Sequence, residues 1–372
     1  MYRFEELYKA YLSCRKRKRN TINALKFEQN LIENLINLET SLNNYTYTPK
    51  RSVCFLTTSP KLREVFAADF SDRVVHHLIV PILEQIYEPK FIYDSYSSRS
   101  NKGIHHAIKR AKKFRQSTTF YMQLDIKNFF YSIDKNILFY KLKDEIIKSY
   151  HKVKNTTIKL EEMLWIVNKI IYHNITNTAI IRGSKKGFEN IPPHKTLFKI
   201  PQEKGLPIGN LTSQFFANVY MNKFDHFVKR ELKCKKYIRY VDDFVVFDKS
   251  KYKLNELKYK IASYLYTNLG LRLREDIKLK NNQDGLDFLG YIIRPHYILT
   301  RKRVVNNFKY KKAKYLDKYE KLKGDMGLEE IKKFLSVQAS FKGHIKHSNS
   351  YNLCKKIGEI DDKKYIDMLH RC

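Results

Sequence analysis

The chain is poor in cysteine and has no long apolar run. Its five cysteines are scattered over 372 residues without a CxxC pair, so neither a zinc site nor a disulfide framework is indicated, and reduced thiols are expected. No window approaches the roughly 18 consecutive apolar residues of a membrane span, and residues 1–20 do not have the pattern of a signal peptide. We therefore expect a cytoplasmic protein with no membrane partner.

Acidic residues are scarce beside basic ones. The chain has 72 Lys and Arg against 38 Asp and Glu, a formal net charge of +34, which predicts a polyanionic partner such as nucleic acid. The abundance of Lys, Asn, Ile and Tyr also fits an AT-rich coding genome, which would raise the lysine content without any function. The basic residues nevertheless cluster at 15–19, 109–115 and 301–323, and this clustering favours nucleic acid.

Two adjacent aspartates stand between apolar runs in the stretch YIRYVDDFVVF (237–247). Two apolar runs separated by two residues predict a β-hairpin, and because Asp is common in turns, a purely structural turn is one interpretation. Two carboxylates at one hairpin tip repel each other, and the repulsion is relieved only by a proton or a cation. Asp242 and Asp243 are therefore candidate metal ligands.

A third carboxylate, Asp125, stands at the end of a buried strand predicted within TFYMQLDIKNFFYSI (119–133). If that strand lies beside the hairpin, three carboxylates meet. Oxygen donors of this kind suit two Mg²⁺ ions about 3.5 to 4 Å apart. Such a pair performs phosphoryl transfer, in which one ion activates a primer 3′-hydroxyl and the other neutralises the triphosphate and the leaving pyrophosphate.

The rest of the chain, which is 43% hydrophobic and 14% aromatic, is predicted to build two or three packed subdomains. Helices are predicted at 24–42 and at 66–87, the second with a kink at Pro81. Residues 174–204 are polar and contain several prolines, which predicts a mobile insertion. After GLPIGNLTSQ (205–214) comes a long helix whose apolar face is formed by Phe216, Tyr220, Phe224, Phe227 and Val228.

Ordered sequence blocks between about residues 60 and 300 resemble those of reverse transcriptases. LPIGNLTSQ is most similar to the enzymes of diversity-generating retroelements, because group II intron and retroviral enzymes usually have Gln at the position of Ile208 and Pro at that of Gln214. The resemblance extends to SFKGHIKH (340–347). No Val-Thr-Gly element of retron enzymes is present, and the endonuclease and maturase segments of intron enzymes would need more chain. The blocks are KLREVFAADFSDRVVHH (61–77), FIYDSYSSRSNKG (91–103), LDIKNFFYSID (124–134), GLPIGNLTSQFFANVY (205–220), YVDD (240–243) and LDFLGY (286–291).

The resemblance implies an α+β fold with the right-hand architecture of polymerases. Residues 1–59 would form a helical N-terminal extension and 60–115 the fingers. The palm, an antiparallel sheet backed by helices, would comprise 116–300 with the inserted segment at 174–204, and residues 301–372 would form a helical thumb.

The resemblance also implies roles for individual residues. Asp125 and Asp242 would bind metal with the backbone carbonyl of Ile126, and Asp243 would assist less directly. Lys278 or Lys280 would supply a proton to the leaving pyrophosphate. The histidines of the pairs His76–His77 and His105–His106 are predicted to be core or backbone-contacting residues. Lys61, Arg63, Phe130, Ile208 and Gly209 would contact the incoming nucleotide, and Arg99, Lys102, Gly103 and Gln214 would line the template and primer path.

We therefore expect an RNA-directed DNA polymerase that copies a retroelement RNA into cDNA with Mg²⁺ and deoxynucleoside triphosphates. The family resemblance adds error-prone copying of template adenines, which diversifies a target gene, and a small basic accessory protein. Two alternatives stay open at this point. One is a defence-associated reverse transcriptase that acts against phage, and the other is a non-catalytic nucleic-acid-binding protein with the same fold.

Overall fold

The computed structural model describes residues 1–16, 18–58, 61–183, 185–322 and 326–358. None of the helices in these ranges is long and apolar enough to cross a membrane. The strands are β1 (Val53–Thr57), β2 (Arg63–Ala67), β3 (Phe120–Asp125), β4 (Ile180–Arg182), β5 (Tyr237–Tyr240), β6 (Asp243–Asp248), β7 (Lys278–Asn281), β8 (Leu286–Phe288), β9 (Tyr291–Ile293) and β10 (Ile298–Thr300). The helices are α1 (Phe4–Arg15), α2 (Ile22–Gln29), α3 (Leu31–Asn43), α4 (Phe70–Tyr87), α5 (Ile104–Arg115), α6 (Phe129–Ser132), α7 (Lys135–Ser149), α8 (Leu160–Tyr172), α9 (Lys185–Glu189), α10 (Leu211–His226), α11 (Lys251–Leu269), α12 (Lys302–Lys321), α13 (Leu328–Ile345) and α14 (Tyr351–Gly358).

The central sheet has four antiparallel strands in the order β5-β6-β3-β7. It confirms the buried strand that ends at Asp125 and the hairpin that carries Asp242 and Asp243. In the register of β3 and β6, Asp125 lies opposite Asp243. Strand β3 is more than a hundred residues from the hairpin in sequence, yet it places Asp125 at the hairpin tip, as predicted.

Both faces of the two central strands, β3 and β6, are covered, which explains why these strands are largely apolar. Along β3 and β6 the side chains alternate between two apolar clusters. Met122, Leu124, Phe244 and Val246 belong to the main core, where α10 and α11 pack. Tyr121, Val245 and Phe247 belong to a second core formed with α5 and the small antiparallel sheet β8-β9-β10.

The long helix predicted after residue 214 is α10, and its apolar face is confirmed. Phe216, Tyr220, Phe224 and Val228 are buried. Phe227 is partly buried and stacks on Tyr264 with ring centroids 4.1 Å apart. A π-helical turn at Phe227–Glu231 continues α10, so the apolar face reaches past the end of the α-helix.

A second sheet, in the order β2-β1-β4, joins strands from the predicted N-terminal extension, the predicted fingers and the inserted segment of the predicted palm. The strand β4 comes from the segment 174–204, which is therefore not a free loop but pairs in parallel with β1. Buried Glu64 ties the same segment down, since it accepts hydrogen bonds from the Thr196 hydroxyl at 2.7 Å and from the Leu197 backbone amide. The β1–β2 hairpin also crosses the predicted boundary between residues 59 and 60.

Two predicted helices need correction. The helix predicted at 66–87 begins only at Phe70, because Phe66 and Ala67 belong to β2 and the Asp69 carboxylate caps the helix by accepting from the Ser71 amide. Pro81 lies inside α4 as predicted. The helix predicted at 24–42 is broken at Asn30, whose backbone leaves the helical region with φ −124° and ψ 49°.

The N-terminal helices are part of the main core rather than a peripheral extension. Helix α1 packs on α4, and Tyr2 and Leu7 are buried in the same apolar cluster as the palm residues. The Tyr2 hydroxyl donates to the Glu162 carbonyl at 2.8 Å. Helix α1 and the residues around it are therefore part of the main core.

The described part of the predicted thumb is helical. Helices α12 and α13 pack through Phe308 and Phe341, whose rings stack with centroids 4.0 Å apart, and through Tyr315 and Phe334, also at 4.0 Å. Residues 323–325 and 359–372 of the predicted thumb lie outside the described residues.

Candidate active site

The hairpin that carries the paired aspartates has a strained tip. Tyr240 and Asp243 face each other across a two-residue turn, and Val241 has φ +58°. A β-branched residue in this left-handed region is costly and persists only when its surroundings hold it there. Here the Val241 carbonyl accepts from the Arg239 guanidinium at 2.9 Å, and the Asp242 carbonyl accepts from the Ile126 amide at 3.3 Å.

The three predicted carboxylates lie together at the end of the sheet and carry raised pKa values. Burial and the neighbouring Asp125 raise the pKa of Asp242 to about 6. Burial raises the pKa of Asp243 to about 7, although a hydrogen bond from Gln123 opposes the shift. Burial also raises the pKa of Asp125, against the opposing charges of Arg274 and Lys61. Raised values in all three groups mean that the protein does not fully neutralise their negative charge.

Gln123 and Arg274 hold two of these carboxylates in place. The Gln123 side-chain amide donates to both Asp243 oxygens at 3.2 and 3.4 Å. The Arg274 guanidinium donates to Asp125 at 3.4 Å and to Asp276 at 2.9 Å. Sequence reasoning missed both partners. Gln123 could have been found because it lies two residues before Asp125 on the same strand face, whereas no local pattern marks Arg274.

A divalent cation fits this donor set in part. Within the described ranges, no three His, Cys, Asp or Glu side chains are grouped closely enough to form a metal centre. The three carboxylates lie at the same end of the sheet without forming such a group, and Asp243 is held by Gln123. Asp125 and Asp242 are close enough to shift each other's pKa, and two carboxylates side by side are the hard oxygen donors that Mg²⁺ prefers. The metal-binding roles stay predictions.

The carboxylates open into a cleft of about 1160 Å³. Most of the predicted nucleotide contacts line the same cleft: Lys61, Arg63, Phe130 and Ile208. Lys61 and Arg63 are exposed, so their positive charges are available to a ligand in the cleft. The cleft is also lined by His194 and Lys195 from the segment 174–204, which sequence reasoning did not identify as site residues.

The two adjacent phenylalanines after Asp125 have different surroundings. Phe129 is buried in the main core, while Phe130 is partly buried and lines the cleft. Their ring centroids are 5.5 Å apart, in an edge-to-face arrangement. The Phe130 carbonyl accepts from the Leu206 amide at 2.8 Å, which ties this turn to the Ile208 segment. Both rings line the cleft, but Phe130 exposes more of its side chain there than the buried Phe129 does.

Gly209 is required by the backbone rather than by the cleft. It has φ +122°, and a Cβ at this position would lie 2.8 Å from the Phe66 carbonyl oxygen and 2.9 Å from Val65 Cγ1. The preceding carbonyl, that of Ile208, accepts from the Phe66 amide at 2.8 Å. Only glycine lets the chain pass so close to β2, and the contact fixes Ile208 at the edge of the cleft.

The register of β7 distinguishes the two candidate lysines. Lys278 lies opposite Gln123, and Lys280 lies opposite Tyr121. Lys278 is therefore two residue pairs closer to Asp125, and its charge opposes the rise in the pKa of Asp243. The geometry favours Lys278, although it does not line the cleft itself.

Arg99, predicted to contact the template, is used inside the fold. Its guanidinium donates to Glu88 at 3.0 Å and to the backbone carbonyls of Ile92 and Ser95 at 2.6 and 3.0 Å. These partners occupy the donors that a template phosphate would need. The structure therefore assigns Arg99 to holding the loop before α5.

The other predicted template residues lie outside the catalytic cleft. Lys102 places its ammonium 3.4 Å from the Tyr93 ring centroid. Gly103, with φ +109°, starts α5 in a conformation that favours glycine. The Gln214 side chain accepts from the Ser98 hydroxyl at 3.1 Å. Their template roles stay predictions.

The histidine pairs show no metal-site arrangement in the described residues. Burial lowers the pKa of His76 to about 3 and that of His77 to about 4, which agrees with core positions. The His105 ring stacks on His347 with centroids 3.4 Å apart. His106 approaches the Lys102 carbonyl at 3.3 Å.

A family model described as "Reverse transcriptase (RNA-dependent DNA polymerase)" matches residues 48–293. The chain belongs to this reverse transcriptase family. The predicted α+β fold class and enzyme class are thereby confirmed, and the cleft, the sheets β5-β6-β3-β7 and β2-β1-β4 and the Asp242 hairpin all lie within the matched residues. This match identifies the family and does not distinguish the diversity-generating subtype.

Known relatives include intron-encoded proteins. The chain is 25% identical over 330 residues to the group II intron-encoded protein LtrA of Lactococcus lactis subsp. cremoris, a match that covers 71% of this chain and 50% of that protein. It is 23% identical over 312 residues to the protein YkfC of Escherichia coli (strain K12), covering 73% of this chain and 74% of that protein. The chain thus spans half the length of LtrA. A structure of telomerase from Candida albicans with the TWJ fragment of telomeric RNA shares 13% identity at a TM-score of 0.45, covering 87% of this chain and 57% of that one.

Proposed function

We propose that this protein is an RNA-directed DNA polymerase that extends a primer 3′ end in the 1160 Å³ cleft. The observation that carries the proposal is the arrangement of charge in that cleft. Asp125 and Asp242, with raised pKa values, line the same space as the exposed cations Lys61 and Arg63. A nucleoside triphosphate with a divalent cation complements both charges at once.

The residues of the cleft have distinct roles in this proposal. Asp125 and Asp242 would hold Mg²⁺, which when bound supplies positive charge to the triphosphate and the leaving pyrophosphate. Lys61 and Arg63 bind the triphosphate oxygens, for which a planar guanidinium is well suited. The Phe130 ring bounds the site of the sugar, and Lys278, on the neighbouring strand, gives a proton to the leaving pyrophosphate.

A non-catalytic nucleic-acid-binding protein would not need this arrangement. Carboxylates in the cleft would repel a polyanion rather than bind it. The strained backbone at Val241 would add nothing to the affinity either. Backbone strain and perturbed carboxylates cluster at catalytic sites. The cleft therefore favours catalysis over binding alone.

The substitution Asp242→Ala tests the proposal. It should lower primer extension on an RNA template by about a hundredfold to a thousandfold, which is what removing one catalytic electrostatic group costs. Folding and RNA binding should be nearly unchanged, because a hairpin tip contributes little to the core. The control is Asp144→Ala, which removes an exposed carboxylate paired only with Lys148 on the same helix. Near-normal extension by Asp242→Ala would contradict the proposal.

We further propose that the enzyme is error-prone at template adenines and serves diversification of a target gene, with a template RNA and a small basic accessory protein as partners. Support comes from Ile208, which lines the cleft. Ile has no donor or acceptor, so the site lacks a hydrogen bond that a badly seated base pair would lose. Apolar contacts discriminate by only about 1 to 3 kcal/mol, whereas unmet hydrogen bonds reject wrong substrates more strongly.

Replacing Ile208 by Gln should reduce misincorporation opposite template adenine, measured by sequencing cDNA copied from one RNA. The Ile208 carbonyl accepts a hydrogen bond from the Phe66 amide, which fixes the backbone at this position. The substitution should therefore change the side chain alone. Ile208→Met, which introduces an unbranched side chain about as long as that of Gln but keeps it apolar, is the matched control and should leave the error rate near that of the unmodified protein. An unchanged rate in Ile208→Gln would assign Ile208 to packing.

A further inference from the structure

Helix α11 carries a row of tyrosines on its solvent face. Its apolar residues Leu254, Leu257, Ile261, Leu265 and Leu269 are buried in the main core. On the opposite side Tyr252, Tyr259 and Tyr266 are 73%, 70% and 59% exposed. They are spaced by seven residues, about two helical turns, so they form one line with rings about 10 Å apart. The solvent face of a surface helix is ordinarily polar, and three exposed rings in register are a departure from that pattern.

Cations flank this tyrosine row. Helix α11 contains Lys251, Lys253, Lys258 and Lys260 and a single acidic residue, Glu256. The Lys258 ammonium lies 5.5 Å from the centroid of the Tyr259 ring, and the Arg272 guanidinium lies 5.5 Å from that of Tyr266. Exposed rings for bases, bordered by cations for phosphates, are the two elements of a surface that binds single-stranded nucleic acid.

The row is continuous with the catalytic cleft. A groove of about 680 Å³ is lined by Tyr266 and Arg272 together with Lys127, Asn128 and Tyr131. The last three also line the cleft that contains Asp125 and Asp242. A strand that leaves the cleft through this groove would reach Tyr266 first and then follow α11 toward Tyr259 and Tyr252.

We propose that the tyrosine row of α11 is a binding track for single-stranded RNA that lies outside the catalytic cleft. The proposal rests on the proposed function, because an RNA-copying enzyme must hold template that is not yet copied. Single strands suit the row better than duplexes, since only unpaired bases can turn their faces onto aromatic rings. Helix α11 has more lysine than glutamate. This positive charge favours a polyanionic partner over an apolar protein surface.

The test compares tyrosines of equal exposure. The triple variant Tyr252→Ala, Tyr259→Ala, Tyr266→Ala should bind a single-stranded RNA that is long enough to leave the cleft at least about tenfold more weakly, because each base–aromatic stack typically contributes about 1 to 3 kcal/mol. Binding would be measured by fluorescence anisotropy. Tyr259→Ala alone should weaken binding, and Tyr140→Ala, which removes a ring that is 69% exposed on α7, should not. The corresponding triple Tyr→Phe variant should restore the affinity.

Primer extension separates this inference from the proposed function. On a template too short to leave the cleft, the triple alanine variant should extend a primer as well as the unmodified protein does. Wild-type affinity of the triple variant for long single-stranded RNA, with extension intact, would overturn the RNA track and leave the polymerase proposal standing. The same result together with loss of a bound partner protein would assign the row to that protein instead. Absence of extension in the unmodified protein would overturn the proposed function itself.

Discussion

The β5–β6 hairpin carries Arg239, which pairs with Asp225 of α10, and the carboxylates Asp242 and Asp243 a few residues further on. The first pair is neutralised inside the protein, whereas the two carboxylates are not. Arg239 and Asp225 have no solvent exposure. The guanidinium donates to both oxygens of Asp225 at 2.8 and 2.7 Å, and the Tyr237 hydroxyl donates to the same carboxylate at 2.7 Å. Further guanidinium donors reach Asn218, Ser95 and the Val241 carbonyl.

The catalytic carboxylates next to this pair are left short of partners. Burial raises the pKa of Asp242 to about 6 and that of Asp243 to about 7. The contrast is between a buried charge that is fully paired inside the protein and buried carboxylates whose pairing does not offset burial, which is what the proposed binding of a cation requires. The two are also linked, because Arg239 bonds the carbonyl of the strained residue Val241.

The largest effect that would sharpen this comparison is expected at Arg239. Arg239→Met should lower the free energy of unfolding by about 3 to 5 kcal/mol, since it leaves Asp225 buried and unpaired. Arg274→Met is the control, because the pair of Arg274 with Asp125 is 40% and 37% exposed and such pairs contribute about 0 to 1 kcal/mol. Urea unfolding of both variants measures the difference. Similar losses in the two would show that the buried pair has no special structural role.

Local patterns were sufficient to predict the elements that position the carboxylates. Strands β3, β5 and β6 and helix α10 are long apolar segments whose periodicity is unambiguous, and the Asp-Asp turn separates two of them. Strand β2 was missed because Phe66 and Ala67 run directly into the apolar pattern of α4. Its pairing with β1 is set by distant contacts, including the one between Phe66 and Ile208.

The chemistry of the site was predictable only in part. The resemblance to reverse transcriptases selected Lys61, Arg63, Phe130 and Ile208, all of which line the cleft. Arg274 and His194 come from segments without a recognisable pattern, and only the folded chain brings them to Asp125. Sequence reasoning also could not show that the guanidinium of Arg99 is occupied by Glu88.

A smaller effect is expected in the pH dependence of stability without divalent cations. A carboxyl group whose pKa is raised on folding binds its proton more tightly in the folded state, so stability is lost as pH rises from the ordinary value of 3.8 through about 6. Asp242→Asn removes this loss. The variant should therefore be more stable than the unmodified protein above pH 7, and the two should converge near pH 4. Thermal unfolding across this range measures the difference, and a constant offset at every pH would contradict the assignment.

The central claim is that Asp125 and Asp242 form a site for a cation. Thermal unfolding at pH 8 with and without Mg²⁺ tests it most directly. The cation binds the folded site and should raise the melting temperature of the unmodified protein. Asp242→Asn should be more stable without Mg²⁺ and gain much less from it, while Asp144→Asn should respond as the unmodified protein does. An equal gain in Asp242→Asn and the unmodified protein would mean that Mg²⁺ does not act through this site and would contradict the claim.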